Sequence, residues 1–100
     1  MPNIQYFTPD VSQGISAGST PGVFALPNSS DALLYLVNLG SRPVFFKLGT
    51  DDTVTVTPST GQAIGAGQAL IVGAQGMAFI AICTSAANGA FSTVNMTSGN

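Results

Sequence analysis

The chain of 100 residues contains two Lys or Arg, four Asp or Glu and no His, which gives a net charge of −2. Charged residues make up 6% of the sequence, against roughly 25% in typical soluble domains. Two cations are too few for a nucleic-acid footprint, which needs a Lys or Arg at each phosphate, or for a polybasic membrane surface. The composition therefore predicts one domain with few charges, no nucleic-acid partner and no membrane partner.

The N-terminal segment, residues 1–31, differs in composition from the rest and holds four of the six prolines. Its strand candidates are Ile4–Phe7 and Gly22–Leu26, and because proline cannot donate to a ladder we expect edge or isolated strands. We interpret residues 1–31 as an extended N-terminal arm and residues 32–100 as a β-sandwich domain. A floppy terminus is the alternative. The first residues lack a basic start and an apolar run, so we expect no signal peptide and synthesis in the cytoplasm.

Beyond residue 31, short apolar runs alternate with turn signals. The segment 63–68 is too rich in glycine for a regular element, and no window has convincing helical periodicity. This spacing predicts an all-β fold, a compact β-sandwich or jelly-roll-like domain of about eight short strands. The expected strands are Ala32–Leu39, Pro43–Gly49, Thr53–Thr57, Ala69–Gly73, Met77–Cys83 and Ala90–Thr97.

Three of these strands carry more specific expectations. Met77–Cys83 is apolar on both faces, as in a central covered strand. Thr53–Thr57 has the clearest alternation, with valines inward and threonines in water. In the last strand Phe91 and Val94 are out of phase, which suggests a bulge.

No combination of residues predicts catalysis, a cofactor or a metal site, and we expect no enzyme activity. The adjacent Asp51 and Asp52 would point to opposite faces of a strand, or form a turn. A weak calcium site at Gly49–Thr53 is the alternative, although the segment lacks the ligand spacing of a calcium loop. Cys83 has no recognisable activating base and is expected to be buried. The glycines of Gly61–Leu70 predict a tight corner, because no phosphate-loop lysine follows them.

The stretch 37–56 concentrates charge in what we interpret as a hairpin. It carries Arg42, Lys47, Asp51 and Asp52, four of the six charged residues. One interpretation is a solvated edge hairpin, because charge on an edge strand deters mispairing. The other is a polar anchor that pairs with a partner and sets the docking register.

The order of these strands resembles a group of known proteins. The segments "LVNLGSRPVFFKLGTDDTVTVT", "AIGAGQAL" and "MAFIAICTSAANGAFSTVNMTSG", within about residues 32–99, resemble small structural proteins of tailed bacteriophage particles, most of all head decoration (cement) proteins. The resemblance implies a β-sandwich or jelly roll, often trimeric, with a terminal arm that reaches across the shell. It implies a virion protein without enzymatic activity on the outer capsid surface, whose partners are the major capsid protein and further copies of itself.

Six residues are candidates for partner binding: Tyr6, Phe7, Phe24, Arg42, Phe45 and Lys47. The aromatic residues of the arm are expected to anchor it, since aromatic side chains carry much of the energy of interfaces. The alternative is that they fold back on their own sandwich. A phage tail, baseplate or fibre component is the second functional hypothesis. A glycan-binding sandwich module is the third, and the lack of Trp disfavours it.

Overall fold

The computed structural model describes residues 7–85 and 91–100, and these residues form two four-stranded antiparallel sheets. The expected all-β fold with about eight strands is confirmed. Within the described residues no helix is long and apolar enough to cross a membrane. The strands are β1 Pro9–Ala17, β2 Gly22–Ala25, β3 Leu33–Asn38, β4 Val44–Gly49, β5 Gln62–Ile64, β6 Ala69–Gly73, β7 Phe79–Thr84 and β8 Ser92–Gly99.

The strand pairs are nested in the sequence. The first sheet has the order β1-β8-β3-β6 and the second the order β2-β7-β4-β5. Thus β1 pairs with β8, β2 with β7, β3 with β6 and β4 with β5, as in one long hairpin wound into two layers. The two layers agree with the expected β-sandwich, and the more specific expectation of a jelly roll stays a prediction.

The connections between strands gather at two ends of the sandwich. One end, which we call the Arg42 end, holds residues 18–21, 39–43 and 65–68. The other, which we call the acidic end, holds residues 26–32, 50–52 and 74–78, together with Thr8 and Asn100, whose backbones are hydrogen-bonded to each other.

The core lies between the two sheets and is built by alternation along the strands. Large buried side chains come from β3 and β8 on one side and from β4 and β7 on the other, because every second residue of a strand points to the same face. The expected central position of the apolar strand is confirmed, since β7 lies between β2 and β4. The largest contributors are Leu34, Leu36, Val94, Met96, Val44, Phe46, Ile80 and Ile82.

The prediction of a strand at Thr53–Thr57 is wrong. The neighbouring position beside β4 is taken by β5, which pairs with Val44–Phe46. Residues 53–57 instead cross the outer side of the second sheet, where Val56 is buried against Ala81 and Cys83. The alternation therefore reports burial of the valines correctly, without a hydrogen-bonded ladder.

The segment 1–31 contributes the outer strands of both sheets. β2 is an edge strand of the second sheet, as expected for Gly22–Leu26. β1, which the sequence did not indicate, runs beside the whole of β8, and its Ile15 and Ala17 enter the core. The candidate strand Ile4–Phe7 lies outside the described residues, apart from Phe7.

The expected bulge in the last strand is also misplaced. β8 keeps a continuous register with β3, and Phe91 precedes the strand, so its phase has no bearing on the ladder. The irregularity lies in the partner strand, where the register with β8 shifts between Pro9 and Val11 and leaves Asp10 as the extra residue.

The charged stretch is not an edge hairpin. β3 belongs to the first sheet and β4 to the second, so residues 39–43 cross between layers. β4 lies inside its sheet, flanked by β5 and β7. The interpretation of Lys47 as a charge that protects an edge strand is therefore wrong.

Candidate partner-binding surface

The outer face of the first sheet carries exposed apolar side chains. Because Leu34, Leu36 and Asn38 point into the core, the alternate residues of β3 point outward. Leu39 is 64% exposed and Ile71, on the edge strand β6, is 48% exposed. The apolar half of this face is formed by Leu33, Tyr35, Val37, Leu39 and Ile71.

The other half of the same face is polar but uncharged. The Ser12 and Thr97 hydroxyls are 2.7 Å apart across β1 and β8, and the Thr97 hydroxyl donates to the Asn95 side-chain oxygen at 3.2 Å. These groups satisfy one another within the face, so a partner can cover them without breaking a bond to charged groups.

None of the six charged side chains projects from the centre of this outer face. Asp10 lies at the bulged edge of β1, and its carboxylate accepts a hydrogen bond from the Asn28 side-chain amide at 2.8 Å. Lys47 is exposed on the opposite side of the sandwich, in β4. The others lie in connections between strands: Asp31, Arg42, Asp51 and Asp52.

The predicted aromatic anchors lie mainly against the chain itself. Phe7 lies on Tyr35, with ring centroids 5.7 Å apart. Phe24 is half-buried against the main core, and Phe45 packs on the small cluster around Val56. Tyr6 lies outside the described residues. A role for these rings in partner binding stays a prediction.

The predicted charged anchors are exposed but do not form one patch. Arg42 and Asp51 lie at opposite ends of β4, whose six residues span roughly 20 Å. Thr53 donates hydrogen bonds to Asp51 from its hydroxyl and its backbone, and these bonds lower the pKa of the Asp51 carboxyl. That turn therefore has its own internal partner.

The connection that carries Arg42 is held by a buried amide. The Asn38 side-chain nitrogen donates to the Arg42 carbonyl at 2.7 Å and to the Ile64 carbonyl at 3.1 Å. Its oxygen accepts from the Gly40 backbone nitrogen at 3.1 Å and from the Ser92 hydroxyl at 2.6 Å. The Arg42 end is therefore a rigid platform, which presents the exposed Leu39 at the margin of the outer face.

The exposed apolar side chains were not predicted from the sequence. Leu39, Ile71, Val23 and Phe91 are all exposed, although each is a large hydrophobic residue. The available signal was their phase, because Leu39 and Ile71 alternate with residues expected in the core.

Two further features of the described residues bear on chemistry, a groove and a buried thiol. A groove of about 350 Å³ between β5 and β6 is lined by neutral side chains, among them Gln62, Ile64 and Leu70. No group of three or more His, Cys, Asp or Glu side chains placed to hold a metal occurs in the described part of the chain. Burial raises the pKa of the Cys83 thiol, which disfavours the reactive thiolate.

Comparison with known proteins gives likenesses of fold. No family model and no curated protein matches the sequence. Among solved structures, the chain is similar to the SPBc2 prophage-derived protein YomS, with 14% identity over 95% of this chain and 98% of that chain and a TM-score of 0.55. It is also similar to a chain of Bacillus endospore appendages, a family of disulfide-linked pili, with 17% identity over 97% and 91% of the two chains and a TM-score of 0.51.

Proposed function

We propose that the chain is a non-enzymatic structural protein of a bacteriophage particle, which binds the outside of the capsid and reinforces contacts between capsid subunits. The observation that carries the proposal is the charge-free outer face of the first sheet. Burying an unpaired charge is costly, whereas this face can be covered without burying any. The likeness in fold to a prophage-derived protein also supports a phage origin.

A decoration protein needs area and apolar anchors rather than catalytic groups. Leu39 and Ile71 supply exposed apolar anchors, and the Ser12–Thr97–Asn95 hydrogen bonds supply a neutral polar border. A protein that binds only the assembled lattice stabilises that lattice by mass action. The resemblance also implies that copies of the chain assemble with each other.

Immunogold electron microscopy of the phage particles tests the location. Antibody raised against the chain should label the head evenly. Label confined to the tail would favour the alternative of a tail, baseplate or fibre component. Particles without label, in which mass spectrometry also fails to detect the chain, would contradict any virion role.

A matched pair of substitutions tests the face. Ile71→Lys places a charge on the outer face of the first sheet, and Val23→Lys places one on the outer face of the second sheet. Both positions are β-branched residues on edge strands, 48% and 40% exposed. We expect the first to reduce binding to particles that lack the chain by tenfold or more, and the second to leave binding unchanged. Equal binding by both variants would exclude this face.

A role of the N-terminal arm in capsid binding can be tested only with a short deletion. Deleting residues 1–20 would remove β1, including the core residues Ile15 and Ala17, so a loss of binding would be uninformative. Deleting residues 1–6 leaves every described strand in place. If that shorter deletion abolishes capsid binding while the fold persists, the terminal residues contribute to docking.

A further inference from the structure

The acidic end contains a pair of carboxyl groups that the proposed function does not use. Asp31, in the connection between β2 and β3, is only 8% exposed, and its Oδ2 atom is buried without a hydrogen-bond partner. A buried oxygen of this kind is costly unless something neutralises it. Its other oxygen, Oδ1, accepts from the Asn100 side-chain amide at 3.0 Å.

The second carboxyl group, that of Asp10, stands beside Asp31. Burial raises the pKa of Asp31 and the neighbouring Asp10 carboxyl raises it further, while the Asn100 amide lowers it. Asn28 links the two positions, because its side-chain amide donates to Asp10 at 2.8 Å and its carbonyl accepts from the Asp31 backbone nitrogen at 3.2 Å. The bulge in β1 places Asp10 here, since a bulge redirects the extra residue.

Two ionised carboxylates both accept hydrogen bonds and neither can donate, so the pair needs a cation or a proton between them. The protein supplies no basic side chain here. Arg42 lies at the opposite end, and Lys47 lies on the outer side of the second sheet. The other two carboxylates, Asp51 and Asp52, are at the same end and add to its negative potential.

We propose that Asp10 and Asp31 bind a hard divalent cation, with calcium as the best fit. Calcium takes six to eight oxygen ligands, and carboxylates are its usual charged ligands in proteins. Here the chain contributes few of them, so water completes the shell. The expected dissociation constant is at the weak end of known sites, about 10⁻⁴–10⁻³ M.

The bound ion would join three parts of the chain. Asp10 belongs to the start of β1, Asp31 to the connection before β3, and Asn100 to the C-terminal end, which is hydrogen-bonded to Thr8. An ion that binds the folded state alone raises stability by mass action. Calcium should therefore stabilise the hydrogen-bonded contact between Thr8 and Asn100 against unfolding.

Thermal unfolding of the full chain at neutral pH, after treatment with a chelator, tests the site. Added calcium at about 10 mM should raise Tm by about 5 °C or more, relative to sodium chloride at equal ionic strength. Asp10→Asn and Asp31→Asn should abolish the rise. Asp51→Asn is the matched control, because it removes an exposed carboxylate from the same end and should keep the rise.

A calorimetric titration with calcium gives a readout that does not depend on unfolding. One site per chain is expected in the wild type, with binding weakened tenfold or more in Asp10→Asn, where the exposed side chain is no part of the core. An equal Tm rise in all variants would mean non-specific screening and overturn the site. No rise in the wild type, with Asp31→Asn more stable than the wild type, would mean that the pair holds a proton and not a metal.

Discussion

The Ser92 hydroxyl donates a hydrogen bond of 2.6 Å to the side-chain oxygen of Asn38, which is fully buried. This bond joins the last residue of β3 to the first residue of β8, 54 positions later in the chain. The Asn38 amide also forms hydrogen bonds with Arg42, Ile64 and Gly40, so all of its donor and acceptor positions are used. One side chain therefore joins the connection 39–43 to the end of β5 and to the start of β8.

Asn38→Leu should be among the most destabilising single substitutions. It removes the Asn38 donor from the Ile64 carbonyl and one of two donors from the Arg42 carbonyl, which the Ser92 hydroxyl also reaches at 3.1 Å. It also removes the acceptor of the Gly40 backbone nitrogen, and each buried polar group left unpaired costs about 1–3 kcal/mol. We expect a loss of about 3 kcal/mol in the free energy of unfolding measured with urea. Ser92→Ala should lose only about 1 kcal/mol, since Asn38 keeps its other partners.

Asn95→Leu is the control for this prediction. Asn95 is half-buried on the outer face, and its described side-chain bond is the one it accepts from Thr97. Its loss should change stability by less than about 0.5 kcal/mol. If Asn38→Leu were as mild as Asn95→Leu, the Arg42 end would not depend on the buried amide.

The pH dependence of stability should reveal the cost of ionising the buried Asp31. Its pKa is raised in the folded chain, by burial first and then by Asp10, while the Asn100 amide opposes the shift. Protonated Asp31 therefore contributes its full share to the stability of the fold below pH 3.8, the ordinary pKa of the group. This contribution is lost as the pH rises through the pKa of Asp31 in the folded chain. In chelator, Asp31→Asn should gain stability relative to the wild type between pH 3.5 and 7.

Asp51 should show the opposite sign. The bonds from Thr53 lower its pKa below 3.8, so its contribution is present at higher pH and is lost as the pH falls through the folded value. Asp51→Asn should therefore lose stability relative to the wild type at neutral pH and match it at strongly acidic pH. Urea midpoints measured across this range, with all three proteins in the same buffers, compare the two signs directly. Parallel curves for the three proteins would contradict both assignments.

Most of the architecture could be predicted from the sequence, because alternation reports burial. The strand β4 shows this alternation, and β3, β6 and β7 were predicted from short apolar runs bounded by turn signals. Thr53–Thr57 shows the limit, since Val54 and Val56 are partly or fully buried without being in a strand. β1 could not be predicted, because seven of its nine residues are exposed and it has no apolar alternation.

The candidate surface was less predictable than the fold. Placing Arg42 and Lys47 in one hairpin assumed that consecutive strands pair, whereas the nested order sends β3 and β4 to different sheets. The closeness of Asp10 and Asp31 depends on a bulge and on a connection between layers. Local sequence carries no signal for either contact, because both arise from strand order.

The reactivity of the Cys83 thiol should show whether residues 53–57 shield the outer side of the second sheet. The thiol is buried beneath Val56, and burial raises its pKa, so labelling by a thiol reagent should be slow in the folded protein. Val56→Ala removes two methyl groups from this cluster, which costs about 2 kcal/mol and should speed up labelling. Thr55→Ala, at an exposed position in the same segment, should leave the labelling rate unchanged. If the two variants react at the same rate, residues 53–57 do not shield the thiol.

The attachment of the described N-terminal end depends on Gly99. A Cβ atom at this position would lie 2.7 Å from the Phe7 ring and also against the Thr8 carbonyl. Gly99→Ala should therefore displace Phe7 from Tyr35 and weaken the 2.7 Å bond from the Thr8 backbone nitrogen to the Asn100 carbonyl. Hydrogen exchange at Thr8 should become about tenfold faster, since an aromatic pair contributes about 0.5–1.5 kcal/mol.

Gly14→Ala provides the matched control, because a Cβ atom there meets nothing within 4 Å and Gly14 lies in the neighbouring strand β1. It should leave exchange at Thr8 unchanged. Phe7→Ala separates the two causes: if it speeds exchange as much as Gly99→Ala does, loss of the ring contact explains the effect. Unchanged exchange at Thr8 in both Gly99→Ala and Phe7→Ala would show that Phe7 does not hold this end on the sheet, and would leave its ring available to a partner.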